Sequence, residues 1–226
     1  MLPTDKLDLV RFAVPKSPRS AVSEKEIREL SIRIVTLKGP ENIRPAIPDI
    51  AELRLQVFRE WPYLYDGSFS DEEEYLEHFS TSEDAVIGLA FSEGRVVGAT
   101  TAEPFDATHD DFRQPFKDKK VPTDKIFYFG ESVLLPDYRG QGIGHKFFDL
   151  REKAAKEWGA WATAFCAVQR PDDHPLKPAD YRPLDAFWIS RGYNKHDELV
   201  CEFKWKDLGQ AEETLKPMTF WTREMS

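Results

Sequence analysis

A chain of 226 residues with 40 acidic against 31 basic side chains, and a net charge of −9, can bury one sizeable core but lacks the basic footprint of a nucleic-acid binder. No apolar run reaches the roughly eighteen residues of a membrane span, and the opening residues lack a secretory h-region. Cys166 and Cys201 are the only cysteines, both in apolar strand-like runs, which excludes a disulfide framework or zinc spacing and points to reduced thiols in a cytoplasmic protein.

Residues 1–30, with Pro3, Pro15 and Pro18, read as an N-terminal arm with a short helix from Ser23 to Leu30. Ser31 to Leu37 alternates Ile32, Ile34 and Leu37 as a first strand. A helix opens at Pro48, carries Ile50, Leu53, Val57, Phe58 and Trp61 on one face, and stops at Pro62. Trp61 to Gly67 is an aromatic loop. Ser70 with Glu73 then reads as a capping box ahead of a second helix bearing Tyr75, Leu76 and Phe79. Asp84–Phe91 and Arg95–Ala102 are β-like runs joined at Ser92-Glu93-Gly94. The charged stretch 103–125 is expected to be a solvated loop, and its His109, Asp110 and Asp111 do not make a metal site, because sequence neighbours rarely converge on one ion.

The chain is organised around Phe127 to Trp158. An apolar run with Phe127, Phe129, Val133, Leu134 and Leu135 is punctuated by Pro136 and turns through Gly140, Gly142 and Gly144 into a helical pattern of Ile143, Phe147, Leu150, Ala154 and Trp158. A glycine loop that opens a helix aims unpaired amides outward at the positive end of the macrodipole, a geometry that binds phosphate. Arg139 adds a cation with a planar fork of donors. The dinucleotide fingerprint fails on spacing, since the third glycine falls at 144, and the nucleotide P-loop lacks its G-K-[ST].

Beyond this unit, Trp161–Val168 is a strand, Arg170–Pro175 a polar turn, and Pro183–Arg191 a short helix ended by Gly192. Leu199, Cys201, Phe203 and Trp205 alternate with polar residues as a half-buried strand. From Asp207 onward a C-terminal extension, 207–226, either adds a last strand or packs on a partner chain, and its aromatics suggest a homodimer.

What the phosphate loop does match is R-x-x-G-x-G, as Arg139, Gly142 and Gly144, preceded by a strand and P-x-Y-R. This resembles the acyl-coenzyme A loop of the GNAT superfamily of N-acetyltransferases. The element order β-α-α-β-β-β-α-β-α-β over residues 31–206 agrees with the resemblance, which implies an α/β (α+β) mixed sheet whose fourth and fifth strands splay to admit the pantetheine arm of acetyl-coenzyme A. By the same resemblance Val133, Leu134, Leu135, Arg139, Gly140, Gln141, Gly142, Ile143 and Gly144 hold the cofactor. Tyr63, Tyr65 and Asp66 are then candidates for the acceptor pocket, although aromatics there could equally cover the sheet.

Acetyl transfer to an amine needs a neutral nucleophile, a stabilised oxyanion and a protonated leaving thiol. A lysine-like amine is free base in only about one molecule in a few thousand at pH 7, a handicap of roughly 4–5 kcal/mol that a positioned base offsets. Glu131 is the first candidate, expected on the apolar face of its strand with Phe127, Phe129, Val133 and Leu135. An ion-paired strand glutamate is the competing reading, and Glu103, ending the preceding strand, is the reserve. The oxyanion donor implied by the resemblance is an unpaired backbone N–H at Leu134 or Leu135. Where many members of the superfamily carry a tyrosine that protonates the thiolate, four residues before Gly192, this chain has Trp188. An indole offers no usable acid proton, so either Tyr193, Tyr181 or water substitutes or the coenzyme A thiolate, with a pKa near that of other thiols, leaves with little help. The expected function is transfer of acetyl from acetyl-coenzyme A to a primary amine of a small molecule or peptide. Another acyl donor or acceptor, or a non-catalytic acyl-coenzyme A sensor, is the alternative.

Overall fold

The computed structural model describes residues 32–225. The arm and its expected helix at 23–30 lie outside the described residues. The sheet has seven strands: β1 (Arg33–Lys38), β2 (Val86–Ser92), β3 (Arg95–Pro104), β4 (Ile126–Leu134), β5 (Ala162–Val168), β6 (Asn194–Lys206) and β7 (Glu213–Glu224), in the spatial order β1-β2-β3-β4-β5-β7-β6. Every pairing is antiparallel except β4 with β5, the one joined by a helical crossover.

Two helices, α1 (Ile47–Phe58) and α2 (Phe69–Thr81), cover one face. Ile47, Ile50, Leu53, Leu76 and Phe79 bury there against Ile87, Leu89, Ala99 and Val133. Pro48 opens α1, its fixed φ suiting the first turn. The capping box of α2 lies two residues earlier than expected: Ser68 Oγ accepts from the Asp71 N–H at 3.3 Å, and the Ser68 N–H donates to Asp71 Oδ2 at 3.2 Å. Both spacings fit the capping rule, and the side chain that meets the amides is Ser68.

On the opposite face lies α4 (Ile143–Trp158), whose Phe148, Ala154 and Ala155 pack under Phe127, Phe129 and Phe165, while its Ile143 and Phe147 pack against Ala90 and Val97. The stretch expected to be a solvated loop holds a helix, α3 (Asp110–Asp118), capped by His109. Phe112 and Phe116, four residues apart, bury against Phe105, Tyr128 and Phe220. Pro115 and six charges between 106 and 118 hide that two-residue apolar stripe from a periodicity search.

A short helix α5 (Asp185–Ser190) leads into β6. The terminal segment is not an appendage, because β7 inserts between β5 and β6 and pairs with both. Met218, Phe220 and Trp221 are therefore interior, and the tail aromatics offer no dimer surface. Among the described residues no helix is long and apolar enough to cross a membrane, and no group of acidic, His and Cys side chains is arranged to hold a metal ion.

Candidate active site

Two irregularities of β4 create the site. Across from it, β3 supplies Thr101 between the pairs Thr100↔Ser132 and Ala102↔Phe129, while β4 supplies both Gly130 and Glu131. That is a β-bulge, and the extra residue turns the alternation over. Phe127 and Phe129 face α4, as their rings against Trp158 and Phe148 record, whereas Glu131 and Val133 face α1 and α2. The expectation that Glu131 shares a face with Phe127 and Phe129 is thus corrected by one residue of slip. Gly130 is required at the bulge, since a Cβ there would lie 2.5 Å from Thr101 Oγ1.

The second irregularity is divergence. β4 pairs with β5 only from Ile126↔Ala162 to Tyr128↔Ala164, after which the strands part. On the β3 side, the Leu135 N–H donates to the Val97 carbonyl at 3.0 Å and the Glu131 N–H to Thr101 Oγ1 at 3.2 Å. Leu135 is thereby removed as an oxyanion donor. Strand alternation aims the Leu134 N–H the other way, into the gap. Val133 is fully buried on the α1–α2 face, and the same alternation aims its amide at β3, so this residue is withdrawn as a cofactor contact.

After the turn Pro136–Tyr138 the glycine loop rises to α4. Gly140 and Gly142 take φ of 73° and 77°, left-handed conformations that only glycine adopts cheaply, and a Cβ at either would meet no protein atom within 4 Å. Among the described residues the amides of Gly140 through His145 find no protein acceptor, which leaves six donors free around a helix N-terminus. This cradle fits a diphosphate. Gln141 braces it through its side-chain amide on the Asp137 carbonyl at 2.9 Å, and Ile143 anchors it in the core. Arg139 differs from expectation: its Nε donates to the Leu134 carbonyl at 3.0 Å and its Nη1 pairs with Glu60 at 2.7 Å. It fastens the loop to the strand and to the turn after α1 rather than pointing free at an anion.

Glu131 does not sit in an apolar setting. Arg54 of α1 lies 2.8 Å from its Oε1, and the Tyr75 hydroxyl of α2 donates to its Oε2 at 3.4 Å. Arg54 also pairs with Glu72 and lies between the rings of Phe58 and Tyr75, at 4.8 and 4.3 Å. Burial would discharge this guanidinium, but Glu131 and Glu72 outweigh it and hold Arg54 charged. Glu103 is different. It is buried, its Oε2 has no hydrogen-bond partner, and His78 Nε2 stands 3.2 Å away but out of line for a bond. Desolvation, and then the neighbouring Glu131 charge, push the Glu103 carboxyl up to about 8.

The aromatic loop is fixed to the end of the β6–β7 hairpin. Tyr63 packs between Phe58 and Trp205, with ring centroids 4.6 and 6.0 Å away, and Tyr65 bridges to Asp207. Burial raises both phenols, with Glu72 adding to the effect at Tyr65. Asp66 is withdrawn as an acceptor contact: hydrogen bonds from Lys206 and Arg59 hold its carboxyl below the usual range and use its oxygens. Tyr193 is withdrawn as an acid. It is 2 % exposed, its hydroxyl lies 3.0 Å from Thr163 Oγ1, and burial raises its pKa. Sequence reasoning missed Arg54, Glu72, Tyr75 and His78 as a polar cluster. The available signal was Arg54 itself, a cation inside the apolar stripe of Ile50, Leu53 and Val57.

The sequence profile described as the Acetyltransferase (GNAT) family matches residues 49–177. Solved structures sharing the fold include a ribosomal-protein-alanine N-acetyltransferase from Brucella melitensis, at 13% identity and TM-score 0.56, over 85% of this chain and 99% of that one. A putative acetyltransferase from Salmonella typhimurium, solved with its cofactor acetyl-CoA, aligns at 12% identity and TM-score 0.55, over 87% and 95% of the two chains. Another from Acinetobacter baylyi ADP1 aligns at 14% identity and TM-score 0.57, over 86% and 92%. No curated protein matches. With the family profile covering more than half of its length, and with the splayed strands and glycine cradle in the places described, the chain belongs to the acetyltransferase (GNAT) family and is an acyltransferase.

Proposed function

We propose that the protein transfers acetyl from acetyl-coenzyme A to a primary amine of a small molecule or peptide, by direct attack while both are bound. The observation that carries this reading is the buried carboxylate pair Glu103 and Glu131, which lies under α1 and α2 on β3 and β4. Such an acidic, aromatic-rimmed setting favours a cationic or proton-donating acceptor over an anionic one.

When bound, the donor supplies an activated acyl thioester. The amides of Gly140 to His145 receive its diphosphate, and the Leu134 N–H is the donor aimed at the gap where carbonyl charge develops. Glu103 is the base: a carboxylate whose pKa of about 8 sits near working pH accepts a proton far better than an ordinary one. Because it is 2 % exposed, it receives the ammonium proton through an intervening water, and the half-exposed His78 beside it passes the proton to solvent. Glu131, clasped by Arg54, is the fixed charge that tunes Glu103. No side chain is assigned to the leaving thiolate. A thiol with a pKa near 8.5 leaves without strong general acid help.

The test is incubation with acetyl-coenzyme A and a panel of amines while free thiol is monitored. Amine-dependent thiol release is expected. Calorimetric binding of coenzyme A without release by any amine would exclude the acceptor class, and absence of binding would exclude the cradle.

A further inference from the structure

Arg170 lies just past β5 with its side chain only 8% exposed. Its guanidinium makes four hydrogen bonds: Nη1 and Nη2 to the two oxygens of Asp207 at 2.8 and 2.9 Å, Nε to the Pro62 carbonyl at 2.8 Å, and Nη2 to the Tyr63 carbonyl at 2.6 Å. The same segment is gripped from behind. Trp205 Nε1 donates to the Tyr63 carbonyl at 3.1 Å, the Leu208 N–H to the Leu64 carbonyl at 2.7 Å, and the Asp66 N–H to the Lys206 carbonyl at 2.9 Å. Lys216 Nζ, also buried, stands 3.4 Å from Asp207 Oδ1. Two cations thus share one carboxylate, and the surplus charge is accommodated by backbone carbonyls, two of them in the aromatic loop.

We propose that Arg170 is a positioning residue for the acceptor, locking the 61–66 loop into its binding shape and joining it to the 169–183 loop. The proposal rests on the amine-acceptor reading above. By sequence Arg170 begins the second loop, and by hydrogen bonds it holds the first. The two also meet through Trp61, whose ring lies 4.9 Å from His174 and 6.0 Å from Tyr181. None of these contacts involves the Gly140–His145 cradle, so the acceptor side is fixed independently of the donor side. A planar fork is required, because a lysine at this position keeps the charge and the Asp207 pair but cannot reach Asp207 and two carbonyls at once.

The experiment compares wild type, Arg170→Lys and Asp207→Asn by hydrogen exchange over residues 61–66, by coenzyme A calorimetry, and by acetylation kinetics with spermidine, tyramine and an alanine-ended peptide. In Arg170→Lys, exchange in the loop rises about tenfold or more and acceptor KM rises about tenfold with kcat within about threefold, while coenzyme A affinity stays within about twofold. Asp207→Asn moves the same readouts in the same direction and serves should the lysine variant fail to fold. Unchanged loop exchange in either folded variant, or a loosened loop with unaltered acceptor KM, overturns the proposal. Should wild type acetylate none of these amines, the acceptor reading fails on its own, and loop exchange still decides whether Arg170 holds the segment.

Discussion

Glu103 and Glu131 divide their roles by environment. Glu131 has Arg54 within 2.8 Å, whereas Glu103 has only an off-line imidazole and the repulsion of its neighbour. If Glu103 is the base, kcat/KM rises with pH through about 8, and Glu103→Gln removes that limb while lowering the rate on the order of a hundredfold or more. A pH–rate profile of the two proteins checks this; an unmoved limb would return the role to Glu131. The same shift has a consequence for folding. The native state holds a proton on Glu103 between the ordinary carboxyl value of 4.5 and about 8, so stability falls as pH rises across that window and levels off above it. The glutamine variant lacks that slope and gains on the order of a few kcal/mol over wild type above pH 8, measurable by denaturant titration. Arg54→Met has the opposite effect, stranding two buried carboxylates and costing about 3–5 kcal/mol. Tyr193→Phe removes a hydroxyl bonded to Thr163 and Glu152, so it costs about 1 kcal/mol of stability and leaves kcat/KM unaffected within about threefold. A larger kinetic loss would restore Tyr193 as an acid.

At the level of elements, the strand, glycine loop and helix from β4 to α4 act as one device. The loop was legible because φ near 75° is cheap for glycine and strained for other residues, and Gly140 and Gly142 are the residues that adopt it there. Gly142→Asp places a side chain and a like charge in the cradle and forces φ of 77° on a non-glycine residue. It is expected to abolish the calorimetric signal for coenzyme A while the melting temperature drops only modestly. Binding that survives the change would move the diphosphate elsewhere. The bulge left no comparable mark, since Gly130-Glu131 reads as two ordinary steps of an alternating strand. Only the partner register reveals the extra residue, and with it which face Glu131 occupies. The pairing of Arg139 with Glu60, 79 positions away, was likewise beyond local patterns. So was α3, whose two phenylalanines become a core face only once Phe105 and Phe220 lie opposite them.

Across the whole molecule, β7 decides whether the site exists. It is the last strand in the chain yet lies between β5 and β6, pairing from Ala162↔Glu224 to Val168↔Met218 on one side and from Asn194↔Thr222 to Lys206↔Glu213 on the other. Its inward residues serve both faces. Phe220 meets Phe116 and Phe105, and Trp221 stacks on Phe165 and meets Trp188. That contact accounts for the indole at 188 where the resemblance implies a tyrosine: set against Phe165 and Trp221, each 5.1 Å away, the partly buried Trp188 packs on core rings. Removing residues 207–226 would therefore strip β5 of its outer partner, leave β6 with none, and expose Phe165, Trp188 and Cys201 together. It would also remove Asp207 and free the aromatic loop. The shortened chain is expected to show no cooperative thermal transition by circular dichroism and no heat with coenzyme A, since the loss of two buried large aromatics alone costs about 6–10 kcal/mol, comparable to the entire stability of a domain. A cooperative melt with retained binding in that truncated protein would mean that the sheet closes on β5 and that β7 is an ornament of the fold rather than its keystone.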